Sequence, residues 1–474
     1  MPPEIALFDF PRGSITAPAG CGKTQLITDT LIQHAGPKPI LILTHTNAGV
    51  AALRARMARS RVPPASFRIA TLDGFAMKLI GKFPARSGHN PAIMQLANRG
   101  ADYPAIRAAA ISLLSGQHLD QVLRSTYSHL LVDEYQDCNQ AQHIIVTWLA
   151  ASLPTYVLGD PMQAIFDIAQ NRLVNWNTDV LHHFPRIGGL ATPWRWRLAQ
   201  AENLGLWLLQ VRERLEAGQP IDLTNAPPEV QWVQAHPANA DAQRRNAALT
   251  PLQNGESALI IGDARNTAGR QRLTSQTPGA TTVEAVDLPD LITFAQSFEL
   301  AGPMALSQIA NFAASLMTGV GVTAYLARVE TIRNGRNRTP PTVAESFAVT
   351  YLAAPSFAGV IDLLQQLSQQ QDCRVYRPEI LRCCIAALRM AASNTHTFRE
   401  AAIQIRERNR MQGRPLSRRA VGSTLLLKGL EADVAVILEP EQMNARNLYV
   451  AMTRGAKRLI VCSQQSVLAP PRPG

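Results

Sequence analysis

The stretch "ITAPAGCGKTQLITDTLI" (15–32) constrains this chain more than any other. An apolar strand end runs into a glycine-bearing loop, then into Lys23-Thr24 and a segment that reads as helix. Gly20 and Gly22 let backbone amides approach a phosphate without a side-chain clash, and the helix behind them points its positive end at the anion. Lys23 has the reach for β- and γ-phosphates, and the Thr24 hydroxyl is placed for Mg²⁺. Ala19, Gly20, Cys21, Gly22, Lys23 and Thr24 are therefore the expected nucleotide cradle. Ala17 stands where a glycine is usual, a departure that needs no unusual geometry. Cys21 reads as an inert small residue of this loop, although a helix N-terminus lowers a thiol pKa.

A loop of this kind belongs at the carboxyl end of a strand in a parallel sheet, and the strands are present. "PILILTHT" (39–46), "HLLVDE" (129–134) and "TYVLGD" (155–160) are apolar runs ending in polar residues, with mostly helical segments between them. A second set follows: "SALIIGD" (257–263), "DVAVILE" (433–439) and "RLIVCS" (458–463). Continuous apolar strands alternating with helices predict doubly wound parallel sheets with ligands at the carboxyl ends. Two sets predict two α/β lobes. Between them lie an Ala-rich, helix-like insertion over about 73–124 and a longer helical one, rich in Ala, Gln and Arg, over about 296–415. The longer one contains "RNGRNRTPP" (333–341), which reads as an exposed basic loop that is either a phosphate contact or a solvated face. No internal repeat is visible, and the tail "LAPPRPG" cannot continue a regular element.

Composition narrows the function classes. The chain has 474 residues, too many for one ordinary domain, and length alone suggests about three. Apolar residues make up 46% and charged residues 17%, a globular balance. No apolar run reaches about 18 residues, and the first residues lack a basic segment followed by an apolar one, so neither a membrane span nor a secretory signal is expected. The six cysteines are too sparse for a disulfide framework or a zinc site and read as reduced thiols of a cytoplasmic protein. The ten histidines show no metal spacing. The formal net charge is +11, which favours a phosphate polyanion as partner. Forty of the 46 basic residues are arginine, which stacks on bases and grips phosphate better than lysine.

The run "LLVDEYQDCNQ" (130–140) completes the nucleotide site. A P-loop needs a carboxylate from a neighbouring strand to hold Mg²⁺, and Asp133 ends such a strand. Glu134 beside it is placed to orient and deprotonate an attacking water. The other reading is a turn that merely carries solvated acids.

Taken in order, these segments resemble the motif series of UvrD/Rep-type superfamily 1 DNA helicases. "APAGCGKT" is similar to motif I, "LTHTNAGVAALRARM" (43–57) to Ia and "ATLDGF" (70–75) to Ib. "VDEYQD" is similar to II, "LGDPMQAIFDI" (158–168) to III and "TPWRWR" (192–197) to IV. "STLLLKGLEADVAVI" (423–437) resembles V, and "NLYVAMTRGAKRLIV" (447–461) resembles VI. The fold this implies is α/β, with two RecA-like doubly wound parallel-sheet lobes and reduced, mainly helical accessory insertions. Its lobe 1A would span 1–72 and 125–190, with 73–124 as accessory domain 1B. Lobe 2A would span 191–295 and 416–474, with 296–415 as accessory domain 2B.

The resemblance also implies roles. Gln163 would sense the γ-phosphate, and Arg195 and Arg454 would reach it from the second lobe as arginine fingers. Gln136 would link nucleotide state to the lobe interface, Asp137 would brace its turn, and Gly429 and Glu431 of motif V would contact the nucleotide. Thr46, Asn47, Thr71 and Phe75 sit where the family contacts single-stranded DNA, and Phe166 where a base stacks. Trp194 and Trp196 are expected as buried aromatics beside Arg195. The implied activity is ATP- and Mg²⁺-dependent translocation on single-stranded or tailed DNA, 3′ to 5′, with ATP between the lobes. Some family positions differ: no upstream glutamine reads adenine, and Asp73, Leu425 and Ile168 stand where two histidines and a second aromatic are usual. The chain is also short for the family. In size it is similar to the helicase-like subunit of Gabija-type anti-phage systems, which suggests an alternative: a DNA-sensing ATPase subunit that regulates a partner nuclease and unwinds little.

Overall fold

The protein is described by a computed structural model over residues 5–166, 172–393, 395–411 and 417–471. Its chain divides into two compact units. The first comprises residues up to Val230 with Met443–Arg458 and the segment from Val467; the second comprises Gln231–Gln442 with Leu459–Ser466.

The first unit is built on six strands: β1 (Arg12–Thr16), β2 (Ile40–Thr44), β3 (Phe67–Thr71), β4 (Leu130–Val132), β5 (Thr155–Gly159) and β6 (Arg186–Gly189). Their order is β3-β2-β4-β5-β1-β6, and every adjacent pair is parallel. β2, β4 and β5 are buried along their whole length, as strands covered on both faces must be. Side chains alternate between two cores. Ile40 and Ile42 pack with Leu26, Ile27 and Leu53 from α1 (Lys23–Gln33) and α2 (Asn47–Arg59). Leu41 and Leu43 face the other core, with Phe75 and Leu79 of α3 (Leu72–Lys82) and Ile145 and Leu149 of the helix Gln140–Ser152. The helical segment 73–124 shares this second core through Ile106, Leu113 and Leu123. A short antiparallel ribbon pairs β7 (Ile221–Asp222) with the strand Val467–Leu468.

The second sheet has β8 (Val230–Gln234), β9 (Ala258–Ile261), β10 (Ala280–Thr282), β11 (Arg419–Gly422), β12 (Ala432–Leu438) and β13 (Gly455–Ser463) in the order β10-β11-β9-β12-β13-β8. The pairs β10–β11, β11–β9 and β9–β12 are parallel. The expected fold class therefore holds: α/β, two six-stranded sheets, each with helices. The run of helices from Pro289 to Met411 forms an apolar core of its own, with Ile309, Leu316, Val360, Leu364, Ile380 and Leu388 at its centre. Two arginines tie it to the sheet side of its unit. Arg374 donates to the carbonyls of Ala280 and Thr274 at 3.0 and 2.8 Å, and buried Arg377 forks onto Glu284. Arg333, Arg336 and Arg338 of the basic loop are exposed, and Arg328 pins the loop by donating to the Thr339 carbonyl at 2.7 Å. Among the described residues, no helix is long and apolar enough to cross a membrane.

Candidate nucleotide-binding site

β1 ends at Thr16 and α1 begins at Lys23, so the loop between them lies at the carboxyl edge of the sheet. The Ala17 amide donates to the Gly159 carbonyl at 2.9 Å, which anchors the loop to the end of β5. Gly20 and Gly22 both have left-handed backbones, with φ of +70° and +88°. A Cβ at Gly20 would lie 2.6 Å from the Trp196 ring, and one at Gly22 would lie 2.9 Å from Trp194. Both the torsion and the space thus require glycine. Cys21 is 1% exposed, which fits an inert packing residue. The Ala19 amide donates to the Tyr449 hydroxyl at 3.3 Å.

β4 carries Asp133 and Glu134 to the same edge. The Lys23 ammonium lies 3.2 Å from Asp133 Oδ1 and 2.5 Å from Glu134 Oε1. Burial alone would lower the lysine pKa; the Asp133 and Glu134 carboxylates outweigh it and hold the group well above the ordinary lysine value. Glu134 adopts a left-handed backbone, φ +55°, at a cost of about 1–3 kcal/mol for a residue other than glycine. Its carboxylate is gripped from two sides, by Lys23 and by the Gln136 amide at 2.5 Å, and its carbonyl takes the Asp137 N–H at 3.0 Å. That turn, closed by the Asp137 main-chain N–H, aims two acids at one point. Tyr135 points the other way, fully buried, with its hydroxyl 2.7 Å from His143 Nδ1.

Gln136 continues inward: its Oε1 accepts the Asp160 amide at 3.1 Å. Asp160, wholly buried, accepts Gln163 Nε2 on Oδ2 at 3.1 Å and the Arg212 guanidinium on Oδ1 at 3.0 and 2.8 Å. Sequence reasoning missed Asp160, Arg212 and Tyr449. A signal for Arg212 existed: it falls on the buried stripe Leu204, Leu208, Val211, Leu215 of the helix Glu202–Glu216, where a charge demands a partner.

Arg195 and Arg454 belong to the same compact unit as the loop, since residues up to Val230 and Met443–Arg458 cluster together. The Arg195 amide donates to the Gly20 carbonyl at 3.1 Å, and its Nη1 donates to the Thr453 carbonyl at 2.6 Å. Arg454 is 3% exposed, with Nε on the Val450 carbonyl at 2.8 Å. Trp196 is buried and donates to the Gly455 carbonyl at 2.9 Å, and Trp194 is half-buried with Arg197 over its ring. Gly429 and Glu431 lie in the second unit, exposed at the turn before β12, with Gly429 at φ +81°. Leu425, also there, is 41% exposed.

The residues expected to meet nucleic acid divide. Thr46 and Thr71 cap α2 and α3 at the ends of β2 and β3, each accepting a glycine amide at 3.0 Å, from Gly49 and Gly74. Asn47 is exposed on the first turn of α2, and Phe166 stands partly exposed beside His45, ring centroids 6.1 Å apart. Phe75 is different. It is 2% exposed, its ring packs against Tyr127, and it offers no face to a base, because the apolar side of α3 turns inward. Asp73 is engaged internally as well: Arg107 forks onto it at 2.7 and 2.6 Å, and Gln142 donates to it at 3.2 Å. Ile168 lies outside the described residues.

Residues 92–177 match the UvrD/REP helicase N-terminal domain, so the resemblance read from the motifs holds over that segment. A 69-residue stretch is 33% identical to an ATP-dependent helicase/nuclease subunit from Leuconostoc mesenteroides subsp. mesenteroides, covering 15% of this chain and 6% of that protein. Two solved structures are similar at low identity. One is a complex of Arterivirus nonstructural protein 10, a helicase, with DNA, at TM-score 0.36 and 8% identity over 95% of this chain and 60% of that one. The other is Pif1 helicase from Candida albicans, at TM-score 0.32 and 11% identity over 57% and 52%.

Proposed function

We propose that the protein is an ATP-dependent translocase or helicase on single-stranded DNA, moving 3′ to 5′ and hydrolysing ATP at the loop 17–24. The observation that carries the reading is the Lys23 ammonium held between Asp133 and Glu134 at the mouth of a glycine-lined loop. One ammonium faces two carboxylates. Were phosphates to draw Lys23 towards them, the two acids would lose that counter-charge, and a divalent cation would balance it. The residues fit magnesium: Asp133 Oδ1 is buried beside the Lys23 ammonium at 3.2 Å, and Thr24 adds a second hard oxygen donor. Asp133 and Thr24 would hold the ion, which supplies charge neutralisation at the phosphate oxygens.

Glu134 would orient and accept a proton from the attacking water, held in place by Gln136. Gln163 would read the γ-phosphate, and Arg195 and Arg454 would neutralise charge developing on it. Gly429 and Glu431 would contact the nucleotide. For DNA, the support is the row of helix N-termini of α2 and α3 at adjacent strand ends, capped by Thr46 and Thr71, with Asn47 next to Thr46 and the Phe166 ring beside His45. We assign the strand path to Thr46, Asn47, Thr71 and Phe166.

A second reading, a nucleotide-gated subunit that senses DNA for a partner enzyme, is favoured by Phe75 and Asp73, which serve the core instead of the surface. The tests separate the two. Lys23→Ala and Glu134→Gln should each abolish DNA-stimulated ATP hydrolysis in folded protein; full activity in either overturns the site. Strand binding should weaken steeply with salt as phosphate contacts release counterions. Displacement of a 3′-tailed duplex by the pure protein supports the motor. Displacement only with a co-purifying protein supports the regulatory reading.

A further inference from the structure

Arg212 lies in none of the motif segments, yet it holds the buried charge to which the Gln163 side chain is bonded. Asp160 is 0% exposed, and its carboxylate is divided between two tasks. Oδ1 accepts Arg212 Nε at 3.0 Å, Arg212 Nη2 at 2.8 Å and the Met162 amide at 3.1 Å. Oδ2 accepts the Gln163 side chain at 3.1 Å. The Asp160 amide donates to Gln136 Oε1 at 3.1 Å, and Gln136 Nε2 donates to Glu134 Oε2 at 2.5 Å. The Asp160 carboxylate thus reaches Gln163, whereas Gln136 is held by the Asp160 main-chain N–H. Arg212 fixes the carboxylate with a planar fork that a point charge cannot reproduce. Its remaining nitrogen donates to Glu216 at 2.9 Å, which locks the guanidinium plane along its own helix.

We infer that Arg212 is a positioning residue for nucleotide hydrolysis: through the Asp160 carboxylate it fixes Gln163. This inference rests on the function proposed above. The tilt of Gln163 is set by a buried carboxylate that itself has one tight orientation only while the fork is present. Without the fork, Asp160 is a buried charge with no cation, and it must turn, take up water or protonate. Each of these moves the side-chain amide of Gln163. The nucleotide cradle, made by backbone amides of the loop 17–24, does not pass through Asp160, so binding should survive where turnover does not.

The test is steady-state ATP hydrolysis with saturating single-stranded DNA. Arg212→Met should lower kcat roughly ten- to a hundredfold while KM for ATP stays within about threefold, the size of effect that small misplacements produce. Arg212→Lys should recover only part of kcat, because charge returns without the fork. Arg212→Met placed on Gln163→Ala should add less than the product of the two losses, since both act through Gln163. If Arg212→Met does not fold, the pair Arg212→Met with Asp160→Asn removes the buried charge together with its partner. That variant should fold and still show the kcat loss. Unchanged kcat in either folded variant, a loss confined to KM, or effects that multiply with Gln163→Ala overturn the inference. Absence of hydrolysis in the parent protein would instead overturn the proposed function.

Discussion

Single residues decide whether this site can form, and the glycines show it most directly. Gly20 needs a left-handed torsion, which costs an L-residue about 1–2 kcal/mol, and its missing Cβ is the space the Trp196 ring occupies at 2.6 Å. Trp196 cannot easily retreat, being buried and bonded to the Gly455 carbonyl. Gly20→Ala should therefore weaken ATP binding at least roughly tenfold, in line with a penalty of about 1.4 kcal/mol or more, without unfolding the protein. Equal affinities in a nucleotide-binding titration would show that the loop yields more readily than this packing suggests. The glycines, Lys23 and the two acids were legible in the sequence because each answers to a local requirement: a torsion, a reach or a strand end. Phe75 was not legible as a core residue, because a motif position says nothing about which way its helix face turns.

At the scale of elements, a charged bridge inside the segment 73–124 joins two of its helices, and Gln142 from outside the segment donates to the same acid. Asp73, on the first turn of α3, receives the fork of Arg107 from the helix Arg99–Ser115 and a donor from Gln142 of the helix Gln140–Ser152. This gives the departure from the family's histidine a physical reason: an acid here joins three helices. Side-chain exposures of 15% and 21% make the pair partly buried, where losing one partner leaves a charge short of its counter-ion. Arg107→Met should lower stability by about 2 kcal/mol, read from the urea midpoint, and Asp73→Asn with Arg107→Met should lose less than the two single changes together. A midpoint unmoved by Arg107→Met would mean that apolar packing alone joins these three helices. The strands expected from apolar runs appear where the runs predicted them, β2, β4, β5, β9, β12 and β13. β3, β6, β8, β10 and β11 were not visible. They are short and mixed in composition, and sheet neighbours, not their own pattern, make them strands.

Over the whole molecule, two histidines of the first unit, His143 buried and His129 half-buried, link stability to pH. Burial lowers His129 to about 4, with His34 adding to the effect, and burial likewise lowers His143 to about 4. Both are neutral in the folded protein and titrate near 6.5 when unfolded, so the unfolded chain binds more protons between those values. Stability is full above about pH 6.5 and falls as pH drops towards 4. Melting temperatures measured across that window should decline, and His143→Gln, which keeps a hydrogen-bonding group beside Tyr135 but carries no charge, should flatten the slope. A flat profile in the parent protein would contradict the burial of these rings. The same distinction runs through the entire structure. The sequence by itself determined the glycine-bearing loop, the acids at the strand end and the α/β class, because loop, cap and strand ends are written in contiguous residues with fixed periods. Tertiary structure alone decided that Arg212 would meet Asp160 across 52 residues, that Tyr449 would stand on the Ala19 amide across 430, and that Phe75 would be core. Those contacts depend on which faces pack together, and packing is a property of the assembled chain that no local pattern carries.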